Sequence, residues 1–332
     1  MNGNLIHNWS YKVGSRGSIL AQRQTHLVLQ ALKNTFSNNN RLAETETIWF
    51  KTSGDKIPDR PLADIGGKAL FCKEVQEALL DKKIDFAVHS LKDLEHTSPP
   101  GLTVVAVLER EDPYDVLITP LISNSYSLLS LKPGGRVGTC APRRAAQLLH
   151  IRPDLQIMPL RGNVPTRLQK LENEGLDAIV VALAGLKRLG IWEEGYTTLK
   201  GYPHLNVEIL SFEDMLPAAG QGAIAVECRE DDHDMSTLLK GINHLETYTC
   251  IQAERALLKE LGGNCHTAIA ALATITTQGN FELTAAYFPD YPTQKKGRRL
   301  LVCQSGARSQ ATSLGQTAAT ILKNKRHLTK ER

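Results

Sequence analysis

The stretch Asp85-Phe86-Ala87-Val88-His89-Ser90-Leu91-Lys92-Asp93 decides the fold. Residues 85–88 read as a short buried strand, and a polar run from His89 to Asp93 follows at its carboxyl end. Upstream, strand and helix signals alternate. Residues 11–14 are strand-like, and Ser18 stands as an N-cap before a run with Leu20, Leu27, Val28, Ala31 and Leu32 on one face. A strand near residues 46–51, a loop over 52–67 and a helix over about 70–82 complete the set. This alternation predicts a mainly parallel α/β sheet, whose ligands bind beyond the carboxyl ends of its strands.

The same grammar begins again after Asp112-Pro113. Residues 136–139 form a predicted strand, and Pro142 opens a helix where its missing N–H costs nothing. A strand over 155–160, a helix opened by Pro165 and an apolar strand over 177–183 follow. Pro217-Ala218-Ala219-Gly220-Gln221-Gly222 reads as a hinge before a strand over 223–227. The last hundred residues differ: a helix over about 245–261, strands near 267–276, 281–288 and 299–304, and a final helix over about 308–323. The short turn Gln278-Gly279-Asn280 makes this a small antiparallel sheet covered by helices. No internal repeat or low-complexity segment is visible in the sequence.

Composition narrows the function classes. The chain has 332 residues, 42% hydrophobic and 22% charged, which suits two or three globular domains. No stretch approaches the roughly 20 apolar residues that span a bilayer, and residues 1–10 lack the features of a signal peptide, so the expectation is a cytoplasmic protein without membrane contact. The six cysteines form no CxxC pair, and the ten histidines show no metal-ligand spacing, so neither a disulfide framework nor a metal is expected. The net charge of +4 owes much to a basic tail over 323–332, and aromatics are only 5% of the chain. Nucleic acid is therefore not an expected partner.

Arginine placement gives the first chemical signal. Arg143 and Arg144 lie in the first turn of a helix, where positive charge opposes the macrodipole. Arg161 follows a strand end in Arg161-Gly162-Asn163, Arg167 falls in the first turn after Pro165, and Arg16 stands between Gly14 and Gly17. One such arginine is an ordinary solvated side chain; five at equivalent places suit bound carboxylates or phosphates. Lys92-Asp93, by itself a commonplace surface ion pair, becomes a candidate acid/base centre beside such a cleft. Cys265 follows the tight turn Gly262-Gly263-Asn264; locally it reads as a structural cysteine, and a positive surrounding would make it a nucleophile.

These residues add up to a resemblance. Gly14-Ser15-Arg16-Gly17-Ser18, Ile65-Gly66-Gly67-Lys68-Ala69-Leu70-Phe71, Ala87 to Asp93, and Arg110-Glu111-Asp112-Pro113 are similar, in that order, to the porphobilinogen deaminase (hydroxymethylbilane synthase) family. Pro153-Asp154-Leu155, Leu160-Arg161-Gly162-Asn163-Val164, Ala184-Gly185-Leu186-Lys187-Arg188-Leu189-Gly190 and Gly220-Gln221-Gly222-Ala223 continue the match. The resemblance implies two doubly wound domains like the lobes of type 2 periplasmic binding proteins. Residues 1–110 with 222–241 make the first and 114–217 the second. A small C-terminal α+β domain over 244–332 carries an antiparallel three-stranded sheet. It also implies a monomeric enzyme that condenses four porphobilinogen molecules into linear hydroxymethylbilane, releasing four ammonia, in heme and porphyrin biosynthesis.

The same resemblance implies a dipyrromethane cofactor joined by a thioether to Cys265. Asp93, Lys92 and Arg16 fall at catalytic positions. Ser18, Ser90, Lys68, Thr139, Arg143 and Arg144 fall at cofactor-binding positions, and Arg16, Arg161, Arg167 and Gln221 at substrate-binding ones. Porphobilinogen carries an acetate and a propionate, so a growing chain needs many fixed cations. A carboxylate near a pyrrole N–H stabilises the cation left when ammonia departs. The chain departs from the family pattern at Asp64, Glu95, Cys140, Ala141, Asn264 and Ala268, none of them a catalytic group; the departures suggest a slower enzyme. Two other readings compete: a binding protein for small anions built on the same cleft, and a homologue that has lost catalysis.

Overall fold

Apolar strands and amphipathic helices assemble into three sheets in the computed structural model, which describes residues 11–36, 45–56, 70–121, 126–263, 267–293 and 297–328. In chain order the elements begin with β1 (Tyr11–Arg16), α1 (Ile19–Phe36), β2 (Thr45–Phe50), α2 (Ser53–Lys56), α3 (Lys73–Leu80), β3 (Phe86–Ser90) and β4 (Leu102–Val107). Then come β5 (Asp115–Pro120), β6 (Arg136–Gly138), α4 (Pro142–Ile151), β7 (Gln156–Met158), α5 (Val164–Asn173), β8 (Ala178–Ala182), α6 (Leu183–Arg188), β9 (Thr198–Leu199) and β10 (Tyr202–Ile209). They are followed by β11 (Ile224–Arg229), α7 (His233–Lys240), α8 (Leu245–Leu261), β12 (Ile269–Ile275), β13 (Phe281–Tyr287), β14 (Leu300–Gly306) and α9 (Ala311–Leu328). The chain divides into two compact units. One is drawn from the stretches ending at Lys56 and Arg110 together with Ala223–Tyr248; the other holds Glu111–Gly222 and the chain from Thr249.

The first unit carries a sheet of order β2-β1-β3-β11-β4. Strand β1 runs parallel to β2 and β3, whereas β11 is antiparallel to both β3 and β4. The second unit repeats the plan as β7-β6-β8-β5-β10-β9, with β6 parallel to its neighbours and β5 antiparallel to β8 and β10. The expected mainly parallel sheet is thus corrected to a mixed one. Strands β5 and β11 are not joined to their sheet neighbours by a crossover helix, so nothing compels them to run parallel. The repeated order leaves no trace as a sequence repeat, because a buried strand asks only for apolar residues and many sequences supply them. Strands β4, β5, β9 and β10 and helices α2, α6 and α7 have no counterpart among the elements expected from the sequence.

Each sheet is held by amphipathic helices. Ser18 caps α1, its Oγ accepting from the Ala21 N–H at 3.3 Å. The helix buries Ala21, Gln24, Thr25, Val28 and Leu32, and Val28 and Leu32 meet Phe86 and Val88 of β3. Fully burying such a side chain stabilises the fold by about 1.5–3 kcal/mol. On the opposite face, Val75 and Leu79 of α3 pack with Ala87 and Leu102. In the second unit Pro142 stands at the first position of α4 as predicted, and Asn163 caps α5 by accepting from the Thr166 N–H at 2.9 Å.

The third sheet, β12-β13-β14, is antiparallel throughout and lies within the second unit. One face packs on α8 and α9 through Ala253, Leu257, Ala318 and Leu322. The other face sets Ala268, Ala270, Leu272 and Phe288 against Ala146 and Leu216. The buried Glu254 accepts from the backbone N–H of Ala273 at 2.8 Å and of Gly220 at 2.6 Å, tying α8 to the segment read as a hinge. Among the described residues no helix is long and apolar enough to cross a membrane.

Candidate active site

Strand β3 ends at Ser90, and a single helical turn over Leu91–Asp93 presents Asp93 at the carboxyl end of the sheet. The Arg16 guanidinium, at the end of the adjacent β1, lies 3.7 Å from the Asp93 carboxylate. Their side chains are 22% and 31% exposed, so the pair is open enough to exchange partners. The Phe71 ring lies under Arg16, with the guanidinium carbon 4.4 Å from its centroid, an attraction of the cation–π type. Together with Ser15, Ala21, Gln24, Val88, His89 and Ser90, these three residues line one cleft. Ser90 and the buried Gln24 exchange hydrogen bonds at 2.9 and 3.0 Å. Ser15 is buried too, its hydroxyl donating to the Val88 carbonyl.

The thiol of Cys72 approaches the Asp93 carbonyl at 3.8 Å. Burial, helped by nearby carboxylates led by Glu227, pushes this thiol up to about 12. It therefore stays protonated and acts as a small buried side chain.

A second polar centre lies inside the other unit. Asp115, fully buried at the start of β5, receives Arg143 Nη1 at 2.6 Å, and Arg144 Nη2 and Nε at 2.7 and 3.1 Å. The guanidinium groups also donate to the carbonyls of Leu216 and Val180. Burial alone would raise the Asp115 carboxyl, but the two arginine charges and their hydrogen bonds prevail and hold it well below the usual carboxylate range. Arg143 and Arg144, expected at cofactor-binding positions, therefore already face a carboxylate within the protein. Arg143 nevertheless keeps Nε and Nη2 without partners among the described residues.

Gln221, expected at a substrate-binding position, has a fully buried side chain that donates to the Pro113 carbonyl at 2.7 Å and to Asp115 at 3.0 Å. A buried carboxylate must have its lone pairs filled, and Gln221 does this.

Arg161 and Arg167 flank the turn at the start of α5. Gly162 there has φ +119, and a Cβ would meet Thr166 at 2.7 Å, so only glycine makes this turn. Arg167 Nε donates to the Gly162 carbonyl at 2.8 Å. Thr139 is buried at the end of β6, its hydroxyl accepting from the Ala141 N–H. Lys92 is exposed beside Asp93. Lys68, Asp64, Asn264 and Cys265 lie outside the described residues.

Several functional residues escaped the sequence reading. Asp115 had a signal, an acid opening the apolar run Val116-Leu117-Ile118. Gln24 also had one, a polar residue on the apolar face of α1. Phe71 closes one of the family motifs, but its stacking on Arg16 joins segments distant in sequence and left no signal of its own.

The family described as "Porphobilinogen deaminase, dipyromethane cofactor binding domain" matches residues 11–237, and "Porphobilinogen deaminase, C-terminal domain" matches 248–324. The porphobilinogen deaminase of Rickettsia prowazekii is 45% identical over 274 residues, 82% of this chain and 86% of that protein. That of Carboxydothermus hydrogenoformans is 48% identical over 263 residues, 79% of each. Among solved structures, a putative periplasmic sulfonate-binding protein from Methylobacillus flagellatus is 15% identical and covers 76% of this chain and 68% of its own, with a TM-score of 0.40.

Proposed function

The chain belongs to the porphobilinogen deaminase family, and on that premise we propose that Asp93 and Arg16 form its reacting centre. The activity is hydroxymethylbilane synthase, the stepwise condensation of four porphobilinogen molecules with loss of ammonia, primed by a dipyrromethane cofactor. One observation carries the assignment of the centre: the Asp93 carboxylate is partly exposed in a cleft and held by a single guanidinium at 3.7 Å. A carboxylate so placed can accept a pyrrole N–H and stabilise the positive charge that spreads over the ring as ammonia leaves. It can also take the proton lost from the attacked pyrrole carbon, which leaves the site on ammonia as ammonium, so charge and atoms balance. Arg16, steadied by Phe71, binds a substrate carboxylate beside it.

The remaining roles follow from the chemistry of the substrate. Arg161 and Arg167, at the mouth of a turn built on Gly162, supply fixed cations for acetate and propionate groups. The residue types fit dipyrromethane: its acidic side chains need donors, which Arg143 offers in the second unit through Nε and Nη2, without partners among the described residues, and its pyrrole N–H groups need a carboxylate, which Asp93 offers in the first. Lys68, Ser18 and Thr139 would hold it alongside Arg143, with Arg144 acting through Asp115 and Ser90 through Gln24. When bound to Cys265, the group supplies the nucleophilic pyrrole carbon on which the chain grows. Lys92 adds positive charge at the rim. A cytoplasmic monomer of three domains suits this work, with the C-terminal sheet as the attachment domain.

Mass spectrometry of the intact protein tests the reading. The wild type is expected to carry one dipyrromethane adduct, and Cys265→Ala to carry none and to give no colour with an aldehyde reagent for pyrroles. An adduct retained by Cys265→Ala but lost from Cys140→Ala would move the attachment site to Cys140. A wild-type protein without any adduct would favour a small-anion binding protein or an inactive homologue.

A further inference from the structure

Beneath the Asp93 cleft lies a buried carboxylate that the condensation chemistry does not use. Glu227, on β11, is fully buried. Its two oxygens accept from a single donor group, the Gln76 amide of α3, at 3.2 and 3.1 Å. The His89 ring nitrogen Nε2 lies 3.3 Å from Oε2 without hydrogen-bond geometry, and has no other partner among the described residues. The register explains the grouping. Ala225 stands opposite His89 and Glu227 opposite Ala87, so both side chains point to the α3 face of the sheet.

An ionisable side chain in such a place is costly. Desolvating a carboxylate costs several kcal/mol, and replacing a buried polar cluster by apolar residues is often neutral or stabilising. Stability alone therefore gives no reason for Glu227, while its partners suggest one. His89 belongs to the strand that delivers Asp93, and Gln76 to the helix whose entry residues touch both members of the reacting pair. Phe71 stacks on Arg16, and the Cys72 thiol meets the Asp93 carbonyl. Helix α3 and strand β3 must keep a set register for Arg16 and Asp93 to face each other.

We propose that Glu227, with Gln76 and His89, forms a positioning group that locks α3 to the end of β3 and so sets the Arg16–Asp93 geometry. Gln76 and Glu227 stand outside the residues that line the Asp93 cleft, and His89, which lines it, joins them to the strand that delivers Asp93. The group acts through the two residues above it, and the inference rests on the reading of Asp93 as the reacting carboxylate.

Two variants test it: Glu227→Gln, and the triple variant Gln76→Leu, His89→Leu, Glu227→Met, which removes the polar cluster whole. Each is made with Asp93 intact and with Asp93→Glu, and kcat, KM and Tm are measured. With Asp93 intact, kcat is expected to fall about tenfold to a hundredfold, the scale of a misplacement near 1 Å, with KM little changed. The triple variant should keep or raise its Tm while losing rate, which a merely structural cluster would not do. In the Asp93→Glu background the same changes should cost much less, because that carboxylate is already displaced. Unchanged kcat in a folded triple variant, or equal losses in both backgrounds, would overturn the proposal while leaving the Asp93 reading intact. Normal turnover by Asp93→Asn would overturn the Asp93 reading and this proposal with it.

Discussion

Asp93 and Asp115 are both aspartates beside arginines, and their surroundings give them opposite work. Asp93 is partly exposed and lightly held; Asp115 is sealed in by Arg143, Arg144 and Gln221. Asp93→Asn keeps shape and removes charge, so it should retain the fold and the adduct and lose nearly all turnover, a change of several kcal/mol in transition-state energy. Ammonia release measures this, and near-normal release would refute the assignment. Asp115→Asn should instead destabilise the protein by about 3–5 kcal/mol, because two buried guanidinium groups lose their counter-charge. The pH dependence follows from the depressed carboxyl of Asp115. Its stabilisation is present above the unfolded carboxylate value, about pH 4, and is lost as pH falls through the lower folded value. Thermal melts below about pH 4 should fall steeply for the wild type and less steeply for Asp115→Asn.

Whole elements depend on single small residues. Helix α9 passes so close to α8 that a Cβ on Gly315 would lie 2.2 Å from the Ala253 carbonyl oxygen. Backbone cannot step aside as a side-chain tip can, so the helices would have to separate. Gly315→Ala should therefore lower stability by about 1–3 kcal/mol or more, seen as a reduced Tm. Gly190→Ala is the control: nothing stands within 4 Å of that Cβ, and only its φ of +68 carries a penalty, about 1 kcal/mol. Equal effects at the two sites would contradict the close helix approach. The elements themselves were largely legible. Residues 245–261 were read as a helix and form α8, and Pro142 and Ser18 mark helix starts. Strand β10 was missed because its mixed polar and apolar residues, Tyr202 to Ile209, blur the signal, whereas β4, Leu102-Thr103-Val104-Val105-Ala106-Val107, is an apolar run that could have been read.

For the molecule as a whole, the chemistry requires one attachment point to serve successive condensations, so variants should fail at different stages. Arg143→Ala and Arg144→Ala should stall cofactor assembly or the first condensations. Arg144→Ala should also be less stable, since it unbalances Asp115. Arg161→Ala and Arg167→Ala should assemble the cofactor and fail in substrate binding or elongation. Native gels that separate enzyme–intermediate complexes would show where each stops. Normal elongation by all four would rule out the carboxylate-clamp role.

The sequence by itself determined the α/β class, the starts of α1, α4 and α5 and both ends of α8, the family and the residues that match its motifs. These are written in local chemistry: a serine that caps, a proline that starts a turn, an Asp at the end of an apolar strand. Tertiary structure alone decided which charges meet. Arg143 and Arg144 look alike to any external anion in the sequence, yet β5 brings Asp115 to them from a distant segment and occupies them. Gln221 looks like a ligand on a glycine-rich loop, yet the fold turns it inward to satisfy that same carboxylate. Strand direction followed the same rule, because β5 and β11 take their sense from neighbours far away in the chain. A partner brought from afar by folding leaves no periodicity and no spacing behind it, so neither the antiparallel strands nor the buried carboxylates at Asp115 and Glu227 could be read before the chain was folded.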